Sequence, residues 1–262
     1  MGKIKAPGSR GGKIIGYDKK GNPVYDSNKS KHKGHITPTK EHLHNTLENG
    51  HYSLISAGPN PNDPKEKKLL DEHGHDHEFF KKRHNDLRND LDAGGHSYTE
   101  VEGDYGSPEK TFMIHHHGHP KSGEGKGNGY MVHHHDDKDA EKNIDRIGKL
   151  SAKYNQDSFI HSKGGNHKMV FTTGDHHGEH HKGTGHEKLS SDTSEFYTEA
   201  PTAGGKSSRF RLNFDWDKHH PTRPKGHFGK PTKTYSKSLV LNSFRKALPS
   251  ERVRRSFCTF VR

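Results

Sequence analysis

The sequence predicts an α+β domain in which two main helices pack on one face of a small, mostly antiparallel sheet. Two stretches, 78–93 and 137–154, carry apolar residues at helical spacing, and short apolar runs around them have the length of strands. Leu, Ile, Val and Phe make up 41 of the 262 residues, about 16%, which excludes one large hydrophobic core. The chain is therefore expected to carry a modest domain flanked by flexible basic tails and by His/Gly-rich loops.

The elements of this domain follow from local signals. Leu43 and Leu47 after Thr37-Pro38 predict a short helix that stops at Gly50. The helix at 78–93 ends at Gly94-Gly95, and the helix at 137–154 begins after a run of histidines. Strands are predicted, in chain order, at 52–57, 97–102, 111–115, 130–133, 158–161, 168–172, 195–198 and 209–214.

The domain is expected at 38–215, between two flanking segments. Residues 1–37 form a basic arm in which Gly21-Asn22, between two apolar runs, predicts a hairpin. Residues 216–262 form a basic, Pro-containing tail with a weak amphipathic pattern at 238–248 that is compatible with a short helix. The single cysteine, Cys258, excludes an internal disulfide framework.

The positive charge is concentrated at the two ends of the chain. The net formal charge is +11 overall, with +8 in residues 1–40, +12 in residues 200–262 and −9 between them. Basic arms favour phosphate backbones or acidic protein surfaces as partners. DNA, RNA and an acidic protein surface are therefore the candidate partners, and no apolar run is long enough to predict a membrane span or a secretion signal.

Arginines next to aromatic residues are the candidate anion contacts. Arg209 and Arg211 alternate with apolar residues in 208–214, so a strand would present both on one face. Arg252, Arg254 and Arg255 lie near Phe257 and Phe260, a combination suited to gripping phosphate and stacking on bases. The alternative for 208–214 is an ordinary amphipathic edge strand.

Histidine accounts for 27 residues, many of them in tracts. Neutral imidazole beside carboxylate suits Zn or another divalent transition metal such as Ni. The predicted ligands are His115 and His117 after one strand, and His133 and His135 before a helix, with Asp136 as an oxygen ligand or orienter. The alternative is that the tracts only reflect the composition of exposed loops.

Three short motifs follow one another in the central region. They are Ser53-Leu-Ile-Ser-Ala57 with Asn60-Pro61, then Glu102-Gly-Asp-Tyr-Gly106, then Tyr154-Asn-Gln-Asp-Ser158. Over about residues 51–175 this order resembles a small family of bacterial and bacteriophage domains of unknown function. The resemblance implies a compact α+β domain and no established reaction, and it directs attention to a pocket near Asn60, Glu109 and Gln156. The step from Ala57 to Asn60 is longer here than in that family.

The segment from Gly8 to Tyr25 likewise resembles a stretch that recurs in bacteriophage-encoded polypeptides. Together these features favour a phage-encoded accessory or virion-associated protein, located in the cytoplasm of a bacterial host or in the virion. It would bind nucleic acid or an acidic protein surface through its basic tails. No catalytic residue is assigned, because no nucleophile elbow, phosphate loop or zinc-protease motif occurs. Two alternatives stay open: a His-rich metal-binding protein, and an enzyme of unrecognised type with its pocket near Asn60, Glu109 and Gln156.

Overall fold

The computed structural model describes residues 12–60, 63–73, 77–104, 127–173, 177–190 and 197–214. The predicted strand at 111–115 and the tail at 216–262 lie outside these ranges. The described strands are β1 (Ile14–Asp18), β2 (Pro23–Tyr25), β3 (Gly34–Pro38), β4 (His51–Ser56), β5 (Ser97–Asp104), β6 (Gly127–His134), β7 (Ser158–Lys163), β8 (Asn166–Phe171), β9 (His180–Leu189), β10 (Tyr197–Thr202) and β11 (Lys206–Phe214). The helices are α1 (Lys40–Asn49), α2 (Pro64–His73), α3 (Glu78–Ala93) and α4 (Asp137–Lys153), with a 3₁₀ turn at Asp26–Lys31.

Eight of the strands form a closed antiparallel barrel in the order β5-β6-β4-β7-β8-β9-β11-β10. The barrel closes where β10 pairs with β5, with Tyr197 opposite Asp104 and Glu199 opposite Glu102. The predicted fold class, a small sheet with two helices on one face, is therefore wrong. The sequence does not reveal the closure because it depends on pairing between strands far apart in the chain. In addition, β9 lacks the apolar alternation by which a strand is predicted.

Side chains alternate between the inside of the barrel and its outer face. Leu54 and Phe210 belong to an inner cluster that Leu43 and Leu47 of α1 also join, so α1 covers one end of the barrel. Ile55, by contrast, belongs to an outer cluster shared with α3 and α4. The barrel interior is thus a packed hydrophobic core rather than a ligand-binding cavity. Within the described ranges, no helix combines the length and the apolar character needed to cross a membrane.

The predicted hairpin is confirmed by the antiparallel pairing of β1 with β2. Residues 14–37, expected to lie outside the domain, extend the sheet, because β1 pairs with β3 and β3 runs parallel to the start of β5. Ile15, Val24 and Ile36 form a small core of their own beside α1. The two predicted main helices are also confirmed, at 78–93 and 137–153.

The seam that closes the barrel requires a residue without a side chain at position 103. A Cβ on Gly103 would lie 2.1 Å from the carbonyl oxygen of Tyr197, a backbone atom that cannot move aside alone. We expect Gly103→Ala to lower the free energy of unfolding by about 1–3 kcal/mol, with faster amide exchange in β10. Gly12→Ala is the control, because its Cβ would meet its nearest neighbour at an ordinary 3.5 Å. Equal stability and exchange in the two variants would contradict this account of the seam.

Candidate functional site

A cavity of about 190 Å³ lies at the end of the barrel that α1 covers. It is enclosed by α1, the 3₁₀ turn, the small core of the N-terminal strands and the end of β6. Six histidines are among the residues that line it, and none of its described lining residues is a carboxylate: His32, His42, His51, His133, His134 and His135. Imidazole nitrogen is therefore the dominant ligand chemistry of this cavity.

Hydrogen bonds define the tautomer of His133. Thr99 Oγ1 donates its only hydrogen to the carbonyl of Ile36 at 2.9 Å, so it can only accept from His133 Nε2, which lies 2.9 Å away. Burial, followed by the nearby His42 and His135, lowers the pKa of His133 to about 3. The ring is consequently neutral at pH 7, and its Nδ1 carries a lone pair.

His32 has the same arrangement on the other side of the cavity. Its Nε2 lies 3.2 Å from the carbonyl oxygen of His35, which can only accept. A neutral His32 therefore also leaves its lone pair on Nδ1. His42, from α1, has its ring centre 6.2 Å from that of His133.

The structure brings together part of the metal set predicted from the sequence. His133 and His135 line the same cavity, whereas His115 and His117 lie outside the described residues. Asp136, in contrast, is the N-terminal cap of a helix. Its exposed carboxylate accepts from the backbone N of Asp139 at 2.8 Å and caps α4, and this bond lowers its pKa.

Sequence reasoning missed His32 and His42, because both lie outside the long histidine tracts, each with one other histidine nearby (His35 and His44). Only the packing of α1 and of the 3₁₀ turn against β6 brings them to His133. Among the described residues, no three His, Cys, Asp or Glu side chains already stand at the spacing of a metal centre. A bound ion would therefore require some rings to turn.

A second histidine cluster lies between the barrel wall and α4. Ser53 Oγ is 2.9 Å from His134 Nε2 and 2.9 Å from His161 Nδ1. The hydroxyl has one hydrogen, so it donates to one ring and accepts from the other. Although serine beside histidine is a catalytic combination, Ser53 is 0% exposed and His161 only 4%. This cluster therefore stabilises the packing on the outer face of the barrel, because it is too buried to contact a substrate.

Asn60 and Gln156 lie in one buried polar network. Both amides bind the same two loops, Asn60 Nδ2 donating to the carbonyl of Asn155 at 2.8 Å and Gln156 Nε2 to that of Gly58 at 2.8 Å. Their polar atoms are thus used to join two loops. Glu109, the third residue of the predicted pocket, lies outside the described residues.

Arg209 and Arg211 both lie on the outer side of β11, away from the buried Phe210 and Leu212. Arg209 Nε contacts Glu199 Oε2 at 2.7 Å, and Arg211 Nη1 contacts Glu187 Oε1 at 3.0 Å. Each guanidinium is therefore engaged with a carboxylate of a neighbouring strand, which weakens the case for these two as anion contacts. Arg252, Arg254 and Arg255 lie outside the described residues.

Comparisons with models of protein families, with curated proteins and with solved structures find no match to this chain. The resemblance to a bacterial and bacteriophage domain family consequently stays a prediction.

Proposed function

We propose that the protein is a non-enzymatic accessory protein that binds nucleic acid through its basic terminal segments. One observation carries the proposal. Residues 1–11 and 215–262 together hold 15 Lys/Arg and three acidic residues, a net +12 in a chain of net +11, so residues 12–214 are close to neutral. The attraction for a polyanion therefore resides outside the barrel, and the barrel acts as the carrier of the two segments.

The ion pairs of the barrel support this division. The buried or half-buried arginines of the barrel wall are matched by carboxylates, as Arg209 is by Glu199. The C-terminal segment instead combines Arg252, Arg254 and Arg255 with two phenylalanines, and aromatic rings next to cationic side chains stack on the bases of single-stranded nucleic acid. Nucleic acid is therefore preferred over an acidic protein surface. A phage-encoded or virion-associated role stays a prediction.

The test is the salt dependence of binding to a fluorescent single-stranded oligonucleotide by the full chain. We expect replacement of Arg252, Arg254 and Arg255 by Gln to weaken binding and to reduce the slope of log K against log salt by about 2, since each phosphate contact to a single strand contributes roughly 0.7. The matched control replaces Arg209 and Arg211 by Gln and is expected to retain the wild-type slope.

Two results would overturn the proposal. One is the absence of salt-sensitive binding by the wild-type chain. The other is equal affinity for polyglutamate of the same length, which would indicate a general attraction to polyanions without any contribution from the bases.

A further inference from the structure

We propose that the histidine-lined cavity binds one late transition-metal ion, with Zn²⁺ as the reference case, through His42 and His133, and that His32 and His135 complete the ligand set. This site is independent of the nucleic-acid binding proposed above. It also differs from the ligand set predicted from the sequence, because two of its members, His32 and His42, lie outside the long histidine tracts.

The hydrogen bonds around His133 and His32 are those of metal-ligating histidines. In such sites one ring nitrogen donates its hydrogen to an oxygen, and this leaves the lone pair of the other nitrogen for the metal. His133 donates to Thr99 Oγ1 and His32 to the carbonyl of His35. These hydrogen bonds thus fix, in two rings, the tautomer that a metal requires.

The spacing of the rings is close to that of shared ligation. With Zn–N bonds of about 2.0–2.1 Å, two imidazoles on one tetrahedral ion have ring centres roughly 5 Å apart. The centres of His42 and His133 are 6.2 Å apart, so small turns of the two side chains bring both nitrogens to one ion. The cavity of about 190 Å³ leaves room for those turns, since one water occupies about 30 Å³.

The ligand chemistry selects the class of metal. Neutral imidazole suits Zn²⁺, Cu²⁺ and Ni²⁺, whereas Ca²⁺ and Mg²⁺ require carboxylate or carbonyl oxygens. Six of the described lining residues are histidines and none is a carboxylate. Two of these rings are bonded elsewhere, His134 to Ser53 and His51 to the backbone N of Gly164. Because the ligands come from α1, the 3₁₀ turn and β6, a bound ion would tie the N-terminal strands and α1 to the barrel and raise the midpoint of thermal unfolding.

The experiment uses the full chain without an affinity tag, because 27 histidines will bind several ions weakly. Zn²⁺ affinity is measured by competition with a chromophoric chelator, Co²⁺ binding by visible absorption, and thermal unfolding with and without Zn²⁺. We expect one tight equivalent per chain in the wild type. The double variant His42→Gln/His133→Gln should bind that equivalent at least tenfold more weakly and lose the Zn²⁺-dependent rise in unfolding temperature.

The matched control is His73→Gln/His77→Gln. These two rings lie only 4.9 Å apart between α2 and α3, so they would be the better pair if proximity alone produced binding. The control should retain the tight equivalent and the thermal shift. If both double variants behave alike, or if the control loses the tight site instead, the proposal is overturned. Should the double variant fail to fold, the single variant His42→Gln, on the half-buried face of α1, tests the same site by the same measurements.

Discussion

Replacement of Arg83 by Met is expected to destabilise the protein by about 3–5 kcal/mol, because it leaves the buried carboxylate of Glu66 without its positively charged partner. Arg83 Nη1 contacts Glu66 Oε1 at 2.6 Å, and the two side chains are 11% and 10% exposed. Arg83 Nη2 also donates to the carbonyls of Gly58 and Tyr154. This one guanidinium therefore connects α2, α3 and the end of α4. The difference in the free energy of unfolding between this variant and the wild type is measured by urea unfolding followed by circular dichroism.

The neighbouring residue supplies the control for the Arg83 variant. Lys82 contacts Asp86 at the same 2.6 Å, but the two side chains are 75% and 42% exposed. Lys82→Met should therefore change stability by less than about 1 kcal/mol. The double variant Arg83→Met/Glu66→Met should recover part of the loss, because no charge is then left buried. Recovery is partial because Glu66 Oε2 also accepts from the backbone N of Asn60 at 2.7 Å. If Arg83→Met were as stable as Lys82→Met, the buried network would not be holding these helices together.

Acid is expected to destabilise the protein through His161, by about 3 kcal/mol between pH 6.5 and pH 4. Burial, followed by the positive charge of Lys168, lowers the pKa of His161 to about 4, from an ordinary value of 6.5. Above pH 6.5 the ring is neutral in both the folded and the unfolded chain, so stability does not change with its titration. Between pH 6.5 and pH 4 only the unfolded chain takes up the proton, which costs about 1.4 kcal/mol per pH unit. Below pH 4 this loss is complete.

The groups around His161 all favour its neutral form. Lys163 on β7 adds positive charge, and the ring centre of His134 on β6 lies 5.6 Å away. The carboxylates of α4 that are nearest, Asp137 and Glu141, are engaged by Lys163.

The measurement for His161 is the free energy of urea unfolding at pH 7 and at pH 4. The variant His161→Gln keeps a polar side chain beside Ser53 and removes the titrating ring, so it should lose about 3 kcal/mol less than the wild type on acidification. His73→Gln, which replaces a half-exposed ring at the end of α2, should follow the wild type. If His161→Gln followed the wild type as well, the acid sensitivity would have to come from other groups.

Most residues of the candidate site could not be predicted from the sequence, although the sequence indicated some of them. The tract at 133–137 directed attention to His133 and His135, which line the cavity, because consecutive histidines are conspicuous; their role as ligands stays a prediction. It also suggested Asp136 as a ligand, whereas the first residue before a helix is better placed to cap it, as Asp136 does for α4. His32 and His42 had no signal of their own, since a single histidine in a polar segment looks the same whether it faces solvent or a cavity.

Several local elements of this protein are predicted by its amino-acid order alone, whereas α2, β3 and β9 are not. Helix α3 follows from apolar spacing with a glycine stop, α1 from its leucines with a stop at Gly50, and β11 from alternation. These features depend on hydrogen bonds and contacts between residues a few positions apart, and a local sequence pattern is therefore enough to predict them. The pairing of β10 with β5 that closes the barrel, and the meeting of His42 with His133 at one end of it, emerge only from the folded chain. Pairing between distant strands depends on the register and curvature of the whole sheet, and a short stretch of sequence does not determine either of them.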